Sequence, residues 1–172
     1  SVTCANGEIV VAPAASGFGA DLEAVKERIS SKTRLIFIAN PNNPTGTWVG
    51  IREIERLLSA VPKSVWVVID EAYFEYLDHP QYGSALCLME RFENLIVTRT
   101  FSKIYGLASL RLGYSVTNSR FADLLNRARQ PFNVGGLTLA AGVAALSDDE
   151  FVIESRQKNE EGLRQLERGL DE

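Results

Sequence analysis

The chain has 172 residues, of which 45% are hydrophobic and 23% charged, a composition typical of one globular domain with a hydrophobic core. Its formal net charge is −4 and it has no basic block, which argues against nucleic acid as a partner. No apolar run approaches the roughly 20 residues that span a bilayer, and no signal-peptide pattern opens the chain, so we expect no membrane partner. Cys4 and Cys87 stand far apart without a CxxC pairing, which predicts two reduced thiols and a cytoplasmic location.

The first half of the chain alternates between predicted strands and predicted helices. A weak strand candidate at residues 8–12 is followed by a helix that Asp21 caps. An apolar run at 35–39 (LIFIA) predicts a strong strand. A helix then runs from Ile51 until Pro62 ends it, before a second strong strand at 65–69 (VWVVI).

The second half continues the alternation. A third strong strand is predicted at 95–97 and a weaker one at 112–116, followed by a helix that Ser119 caps. A helix of small residues at 138–145 and a charged helix from about residue 149 complete the pattern. The strong strands show no polar alternation, so we expect both faces of the sheet to be buried. The fold class is therefore α/β, with a mostly parallel sheet flanked by helices.

Each strong strand is followed directly by polar residues of an unusual kind. The first leads into NPNNPTG (40–46), the second into Asp70 and Tyr73, and the third into Thr100, Ser102 and Lys103. Ligands of open α/β sheets bind at the carboxyl ends of the strands, so together these residues predict a site there.

Each segment also has an ordinary interpretation when it is taken alone. NPNNPTG is a common turn sequence, an aspartate after a strand is a helix cap about half the time, and a single lysine is most often a surface residue. Only the combination, in this order on this architecture, favours a site over those interpretations.

The residue types at this edge match the needs of pyridoxal phosphate, an aldehyde cofactor that a lysine amine captures. Asp70 could keep its pyridine nitrogen protonated, and Asn43 and Tyr73 could hydrogen-bond its ring oxygen. A phosphate group needs hydroxyls and an arginine fork, which are available in the segment 100–111. No residue of the chain stands out as the partner that would stack on the ring.

Four segments carry a resemblance to fold-type I pyridoxal-phosphate aminotransferases: NPNNPTG (40–46), VVIDEAYFEY (67–76), TRTFSKIYGLASLRLGY (98–114) and RQPFNV (129–134). The last two segments resemble the branch that acts on histidinol phosphate. The resemblance implies the large-domain portion of that fold over essentially the whole chain.

The resemblance also implies roles for individual residues. Lys103 would be the catalytic lysine that forms the covalent imine and moves the proton, and Asp70 the catalytic partner of the pyridine nitrogen. The residues that would bind the cofactor are Asn43, Asp70, Tyr73, Thr100, Ser102, Lys103 and Arg111. No metal is implied. We further expect desolvation and a nearby cationic arginine to lower the pKa of Lys103 towards the working pH.

The implied reaction is transamination between an amino-acid-like substrate and a 2-oxo acid, namely histidinol phosphate and 2-oxoglutarate in histidine biosynthesis, by a homodimer. Two other functions stay open on the residues alone. One is another fold-type I aminotransferase or a phospho-amino-acid decarboxylase with the same motifs. The other is a non-catalytic aminotransferase-like module.

The ends of the chain suggest a piece of a longer protein. Met89 is the only methionine, and the last helix stops without a terminating glycine or proline. We expect residues 1–172 to be an incomplete large domain that lacks an N-terminal segment and a C-terminal small domain. Such a fragment is expected to be inactive by itself.

Overall fold

The computed structural model describes residues 6–170, so Cys4 lies outside the described residues. Its centre is a four-stranded sheet in the order β1 (Leu35–Ala39), β2 (Trp66–Asp70), β3 (Leu95–Thr100) and β4 (Gly113–Val116). The first three strands are parallel, and β4 is antiparallel to β3. The predicted α/β class with a mostly parallel sheet is thus confirmed.

Within residues 6–170 the chain forms five α-helices. They are α1 (Leu22–Glu27), α2 (Ile51–Ala60), α3 (Ser119–Ala128), α4 (Gly136–Leu146) and α5 (Asp149–Leu170). Short 3₁₀ turns lie at Phe74–Tyr76, Ala85–Leu88 and Ala108–Leu110. All five helices were expected, with boundaries that differ by a few residues.

The predicted cap of α3 is wrong by one position. Asn118 has extended backbone angles, and its side-chain oxygen accepts a hydrogen bond from the Phe121 N–H at 2.8 Å. Ser119 is already the first helical residue, so it cannot occupy the capping position.

The predicted strand at residues 8–12 is also wrong. A strand requires a hydrogen-bonded neighbour, and the only pairing described near this segment is a single bridge between Ala14 and Ala20. Val10 and Val11 are 63% and 75% exposed, so this segment is not packed into the core that residues 6–170 form.

The main core lies between one face of the sheet and helix α2. Ile38 of β1, Ile69 of β2 and Val97 of β3 point to this face and are nearly or completely buried. They pack in one cluster with Ile54 and Leu57, which α2 presents three residues apart on its apolar face. Each such fully buried side chain contributes about 1.5–3 kcal/mol, so this cluster holds the parallel strands in register.

The opposite face is covered unevenly, which corrects the expectation that both faces are buried. At β2, Trp66 packs against Phe121 of α3 with ring centroids 4.0 Å apart. At β1, Leu35 and Phe37 are 43% and 61% exposed. Among the described residues, α3 shields the middle of the sheet but not the face of its edge strand. Among the helices of residues 6–170, none combines the length and the hydrophobicity that a membrane-spanning segment needs.

Candidate functional site

The carboxyl ends of the three parallel strands lie side by side. Ala39 is paired with Asp70, and Asp70 is paired with Thr98, so the segments that follow β1 and β2 start at the same edge of the sheet. Strand β3 continues to Thr100 because it gains β4 as an antiparallel neighbour. The structure therefore brings the predicted polar segments together at one edge, as the parallel arrangement requires.

Asp70 lines an open pocket of about 310 Å³. Its side chain is exposed, and one carboxylate oxygen accepts a hydrogen bond from the Ala72 N–H at 3.1 Å. Other predicted site residues line the same pocket: Thr100, Ser102 and Arg111. A carboxylate and a guanidinium thus face one cavity without forming an ion pair with each other.

Thr100, Ser102 and Arg111 form a group of donors at this pocket. Arg111 Nη1 donates to the Ala108 carbonyl oxygen at 2.9 Å and to Ser102 Oγ at 3.4 Å. Thr100 Oγ1 accepts the Ser102 N–H at 3.0 Å and donates to the Leu112 carbonyl at 3.3 Å. A guanidinium beside two hydroxyls is suited to bind an anion such as a phosphate.

The backbone of Arg111 adopts the left-handed conformation, with φ 52° and ψ 42°. This region costs a non-glycine residue roughly 1–2 kcal/mol, because Cβ approaches the carbonyl oxygen. This left-handed residue turns the chain sharply between the Ala108–Leu110 turn and β4. Arg111 lines the pocket from this position.

Asn43, Tyr73 and Lys103 also meet, although they come from three different loops. The Asn43 amide donates to the Tyr73 phenol oxygen at 3.1 Å. Lys103 Nζ lies 5.0 Å from the centroid of the Tyr73 ring, within the range of a cation–π contact. The structure thus places an amide, a phenol and an amine beside one another, as the residue pattern predicted.

The expected direction of the Lys103 pKa is wrong for this chain. A hydrogen bond with the Tyr73 phenol and the electrostatic interaction with Tyr73 raise the pKa of Lys103, and Tyr76 adds to the effect. Arg111 does act in the expected direction, but its influence is smaller. Desolvation also lowers this pKa, by more than Arg111 does, but Tyr73 outweighs both. The phenol therefore outweighs the arginine.

The loop that carries Asn43 is held by Asn40, which is buried at the end of β1. The Asn40 side chain accepts the Val49 N–H at 2.9 Å and donates to the Val49 carbonyl at 3.1 Å, which closes the loop. Tyr82 donates its hydroxyl to the Asn40 carbonyl at 3.0 Å, and burial raises the pKa of Tyr82 well above its usual range. Asn40 and Tyr82 were not predicted to have this role.

A second group of charged residues was also missed. Arg99, in β3, forms ion pairs with Glu71 at 2.7 Å and with Glu75 at 3.1 Å, and all three side chains are nearly inaccessible to solvent. The sequence carries a signal for it, since Glu71 directly follows a buried strand and Arg99 lies between two threonines at the end of another. Charged residues at such positions are rarely buried without a partner.

Comparison with known proteins relates this architecture to a large group of enzymes. The family described as "Aminotransferase class I and II" matches residues 1–172. A histidinol-phosphate aminotransferase of Nitrosococcus oceani is 55% identical over 152 residues, which is 88% of this chain and 41% of that protein. A histidinol-phosphate aminotransferase of Methylobacillus flagellatus is 50% identical over 169 residues, which is 98% of this chain and 46% of that protein.

Among solved structures, the histidinol-phosphate aminotransferase of Sinorhizobium meliloti in complex with pyridoxal-5'-phosphate aligns with a TM-score of 0.90 at 30% identity. The alignment covers 97% of this chain and 45% of that one. The chain thus spans less than half the length of these relatives.

Proposed function

Because the chain belongs to the aminotransferase class I and II family, we propose that it forms the cofactor-binding part of a pyridoxal-phosphate-dependent aminotransferase. The proposed reaction transfers the amino group of histidinol phosphate to 2-oxoglutarate. The observation that carries the proposal is the pocket that Asp70 shares with Ser102 and Arg111. The pocket offers a carboxylate and a guanidinium, which complement the protonated ring nitrogen and the phosphate of the cofactor.

The residues at the pocket fit this cofactor by their chemistry. The group formed by Thr100, Ser102 and Arg111 offers hydroxyl and guanidinium donors for a phosphate. Asp70 offers a carboxylate for a protonated ring nitrogen. Bound there, pyridoxal phosphate would supply an electron-withdrawing ring that stabilises negative charge on the substrate carbon.

Asn43 and Tyr73 would orient the ring of the cofactor. Their hydrogen bond places the Tyr73 phenol oxygen in a fixed position beside Lys103. An oxygen on the ring could then bind to both the amide and the phenol. Such orientation by several donors is what keeps a reacting group in the geometry of the transition state.

Lys103 would hold the cofactor covalently and then transfer a proton as general acid and base. This role requires Nζ to lose its proton. Tyr73 opposes the loss and Arg111 favours it, so the balance between these neighbours sets the pH at which Lys103 reacts. A change at Tyr73 therefore acts directly on this step.

The substrate is proposed from the relatives. Proteins that are 50% and 55% identical to this chain carry the name histidinol-phosphate aminotransferase. A homodimer and a cytoplasmic location are proposed on the family resemblance alone. Exposed apolar side chains on α4, such as Leu137 and Val143, would suit a subunit contact.

The reaction is tested on the complete protein that carries this chain. We expect glutamate to form when the protein is supplied with histidinol phosphate, 2-oxoglutarate and pyridoxal phosphate. Release of carbon dioxide from a phospho-amino acid would instead identify a decarboxylase. Failure to convert any amine donor would support a non-catalytic module.

The proposed lysine is tested separately by chemical trapping. Reduction with borohydride after incubation with pyridoxal phosphate should attach the pyridoxyl group to Lys103, as mapped by peptide mass spectrometry. The Lys103→Ala variant is the matched control and should remain unlabelled. Labelling at Lys26, Lys32 or Lys63 in place of Lys103 would contradict the assignment.

A further inference from the structure

A buried charge network lies next to the candidate site and is not needed for any step described above. Arg99 donates from Nε and Nη2 to one oxygen of Glu71, at 3.0 and 2.7 Å, and from Nη1 to Glu75 at 3.1 Å. Nη2 also donates to Ser84 Oγ at 3.0 Å. The guanidinium lies over the Phe74 ring, 3.8 Å from its centroid. Every nitrogen of Arg99 is thus used at once.

Both carboxylate oxygens of Glu71 are paired. Glu71, which is 1% exposed, also accepts the Ser84 hydroxyl at 2.8 Å and the Ala85 N–H at 2.7 Å. Among the described residues, no buried side-chain nitrogen or oxygen lacks a partner. Burial lowers the pKa of Arg99, but Glu71 and Glu75 outweigh it and raise that pKa, so the guanidinium keeps its charge.

Two members of the network, Glu71 and Arg99, are direct neighbours of site residues along the chain. Glu71 follows Asp70, and Arg99 lies between Thr98 and Thr100. Since side chains alternate along a strand, Arg99 points away from the face that carries its two threonine neighbours. The side chains of the network therefore lie on the face of β3 opposite to the two threonines.

Arg99 holds both ends of the turn that carries Tyr73. The turn starts at Glu71, whose carbonyl accepts the Phe74 N–H at 3.0 Å, and it contains Glu75. Because the guanidinium binds both carboxylates and also stacks on Phe74, it fixes the turn against the end of β3. Tyr73 lies inside this clamped segment.

The same network reaches the loop that carries Lys103. Tyr105 donates its hydroxyl to Glu75 at 3.4 Å, and it is two positions beyond Lys103. Burial and the charge of Glu75 raise the pKa of Tyr105 to about 12, so it stays a donor. Glu75 is thus shared between the Tyr73 turn and the Lys103 loop.

We propose that Arg99 is a positioning residue, whose guanidinium fixes the Tyr73 turn and thereby sets the place and the reactivity of Lys103. The inference rests on the proposed function, because it assigns Arg99 a role in that same site. Stability alone is a weak reason for such an arrangement, since replacing a buried ion pair with apolar residues is often neutral or stabilising. The planar fork of arginine suits a role in which three groups must be held in one geometry.

The test measures how Lys103 reacts when the network is broken. Competitive acetylation of the 172-residue chain across pH, read by peptide mass spectrometry, gives the pH midpoint and the rate for Lys103, with Lys32 and Lys63 as internal references. The variants are Arg99→Met, which removes the fork, and Arg99→Lys, which keeps the charge. Arg91→Met is the matched control, because Arg91 also pairs with a glutamate, Glu55, and stacks on a phenylalanine, but it is exposed.

We expect Arg99→Met to lower the Lys103 midpoint, because Tyr73 would no longer be held beside Nζ. In Arg99→Met, trapping of pyridoxal phosphate at Lys103 should fall at least tenfold. Arg99→Lys should give intermediate values of the midpoint and of trapping, and Arg91→Met should give the wild-type values. Circular dichroism at low temperature establishes that each variant is folded. A folded Arg99→Met chain whose Lys103 midpoint and trapping equal those of the wild type would overturn the proposal.

A second variant covers the case in which Arg99→Met does not fold. Glu75→Gln leaves the Arg99–Glu71 pair intact and removes the charge that binds Arg99 Nη1 and the Tyr105 hydroxyl, so it should lower the midpoint by a smaller amount. No change in this variant would also count against the proposal. If wild-type Lys103 in the complete protein traps no pyridoxal phosphate at all, the proposed function fails, whereas the acetylation midpoints still decide the role of Arg99.

Discussion

The side-chain amide of Asn43 donates a hydrogen bond to the phenol oxygen of Tyr73 at 3.1 Å, across a separation of 30 positions in the chain. This contact joins the loop after β1 to the turn after β2. Because the Tyr73 ring also lies 5.0 Å from Lys103 Nζ, the phenol connects all three loops of the candidate site. Tyr73 is therefore the residue at which the site is most easily perturbed.

Replacing Tyr73 with phenylalanine is predicted to lower the pKa of Lys103. The Tyr73 phenol raises this pKa in the structure, so its removal increases the fraction of neutral amine at any pH near the midpoint. Competitive acetylation should show a lower pH midpoint for Lys103. Tyr114→Phe is the control, since Tyr114 is not among the groups that act on Lys103. An unchanged or higher midpoint in Tyr73→Phe would contradict the prediction.

The Asp70→Asn variant should fold normally but lose most of its catalytic turnover in the complete protein. The amide oxygen of asparagine can still accept the Ala72 N–H, while the charge that would keep the ring nitrogen protonated is lost. We expect a loss of several orders of magnitude in turnover, at about 1.4 kcal/mol of barrier for each tenfold. Asp78→Asn, at an exposed ion pair with Arg156, is the control. Near-normal turnover with bound cofactor would exclude this role for Asp70.

Two glycine substitutions should change stability in opposite directions. A Cβ at Gly113 would lie 2.9 Å from the Arg99 carbonyl oxygen, a backbone atom that can move only if β3 and β4 separate. Gly113→Ala should therefore destabilise the fold by about 1–3 kcal/mol. A Cβ at Gly162 meets no atom within 4 Å in helix α5, so Gly162→Ala should stabilise it by up to about 1 kcal/mol. Urea denaturation of both variants gives the two values, and equal values would refute the packing argument.

The 172-residue chain is predicted to bind pyridoxal phosphate weakly. Asp70 and Arg111 are exposed in the described structure, and charged contacts that water can reach are strongly screened. The family resemblance also places a stacking aromatic, a second phosphate-binding turn and a tyrosine of a partner subunit outside this chain. Titration followed by visible absorbance should show a dissociation constant orders of magnitude above that of the complete protein. Tight, stoichiometric binding with transaminase activity would contradict this prediction.

The purified chain is also predicted to self-associate through β1. Leu35 and Phe37 expose apolar side chains on the edge strand of the described sheet, and such edges pair readily with other chains. Phe37→Lys should reduce association, as measured by light scattering. Leu170→Lys, on the exposed end of α5, is the control for an added charge. If both variants scatter like the wild type, another surface is responsible.

The sequence was sufficient to predict the sheet and where its polar residues gather. The run at 35–39 became β1 with the expected boundaries, because an apolar run of this length between turn residues has few other solutions. Residues 8–12 show the opposite case, since a strand also needs a neighbour that local sequence does not describe. Local pattern thus predicts the element but not its pairing.

The properties of the site were harder to predict than its location. The pKa of Lys103 depends on how closely the Tyr73 side chain approaches, and no sequence spacing gives that approach. The positions of Arg99 and Glu71 at strand ends hint at burial, but only the fold, which brings β2 and β3 side by side, shows that the two residues pair. Both are consequences of three-dimensional contact between residues far apart in the chain.

The reversal of chain direction between β3 and β4 fixes both ends of the intervening loop at one place in the sheet. Thr100 and Gly113 are paired across the two strands, and the Phe101 N–H donates to the Leu112 carbonyl at 3.1 Å, so the loop leaves and re-enters the sheet at one closed rung. During evolution, this loop can gain or lose residues between its ends without altering the sheet. An insertion between Arg111 and Gly113 would instead disturb the site, because it would separate the Arg111 guanidinium from the paired residues that hold it in position.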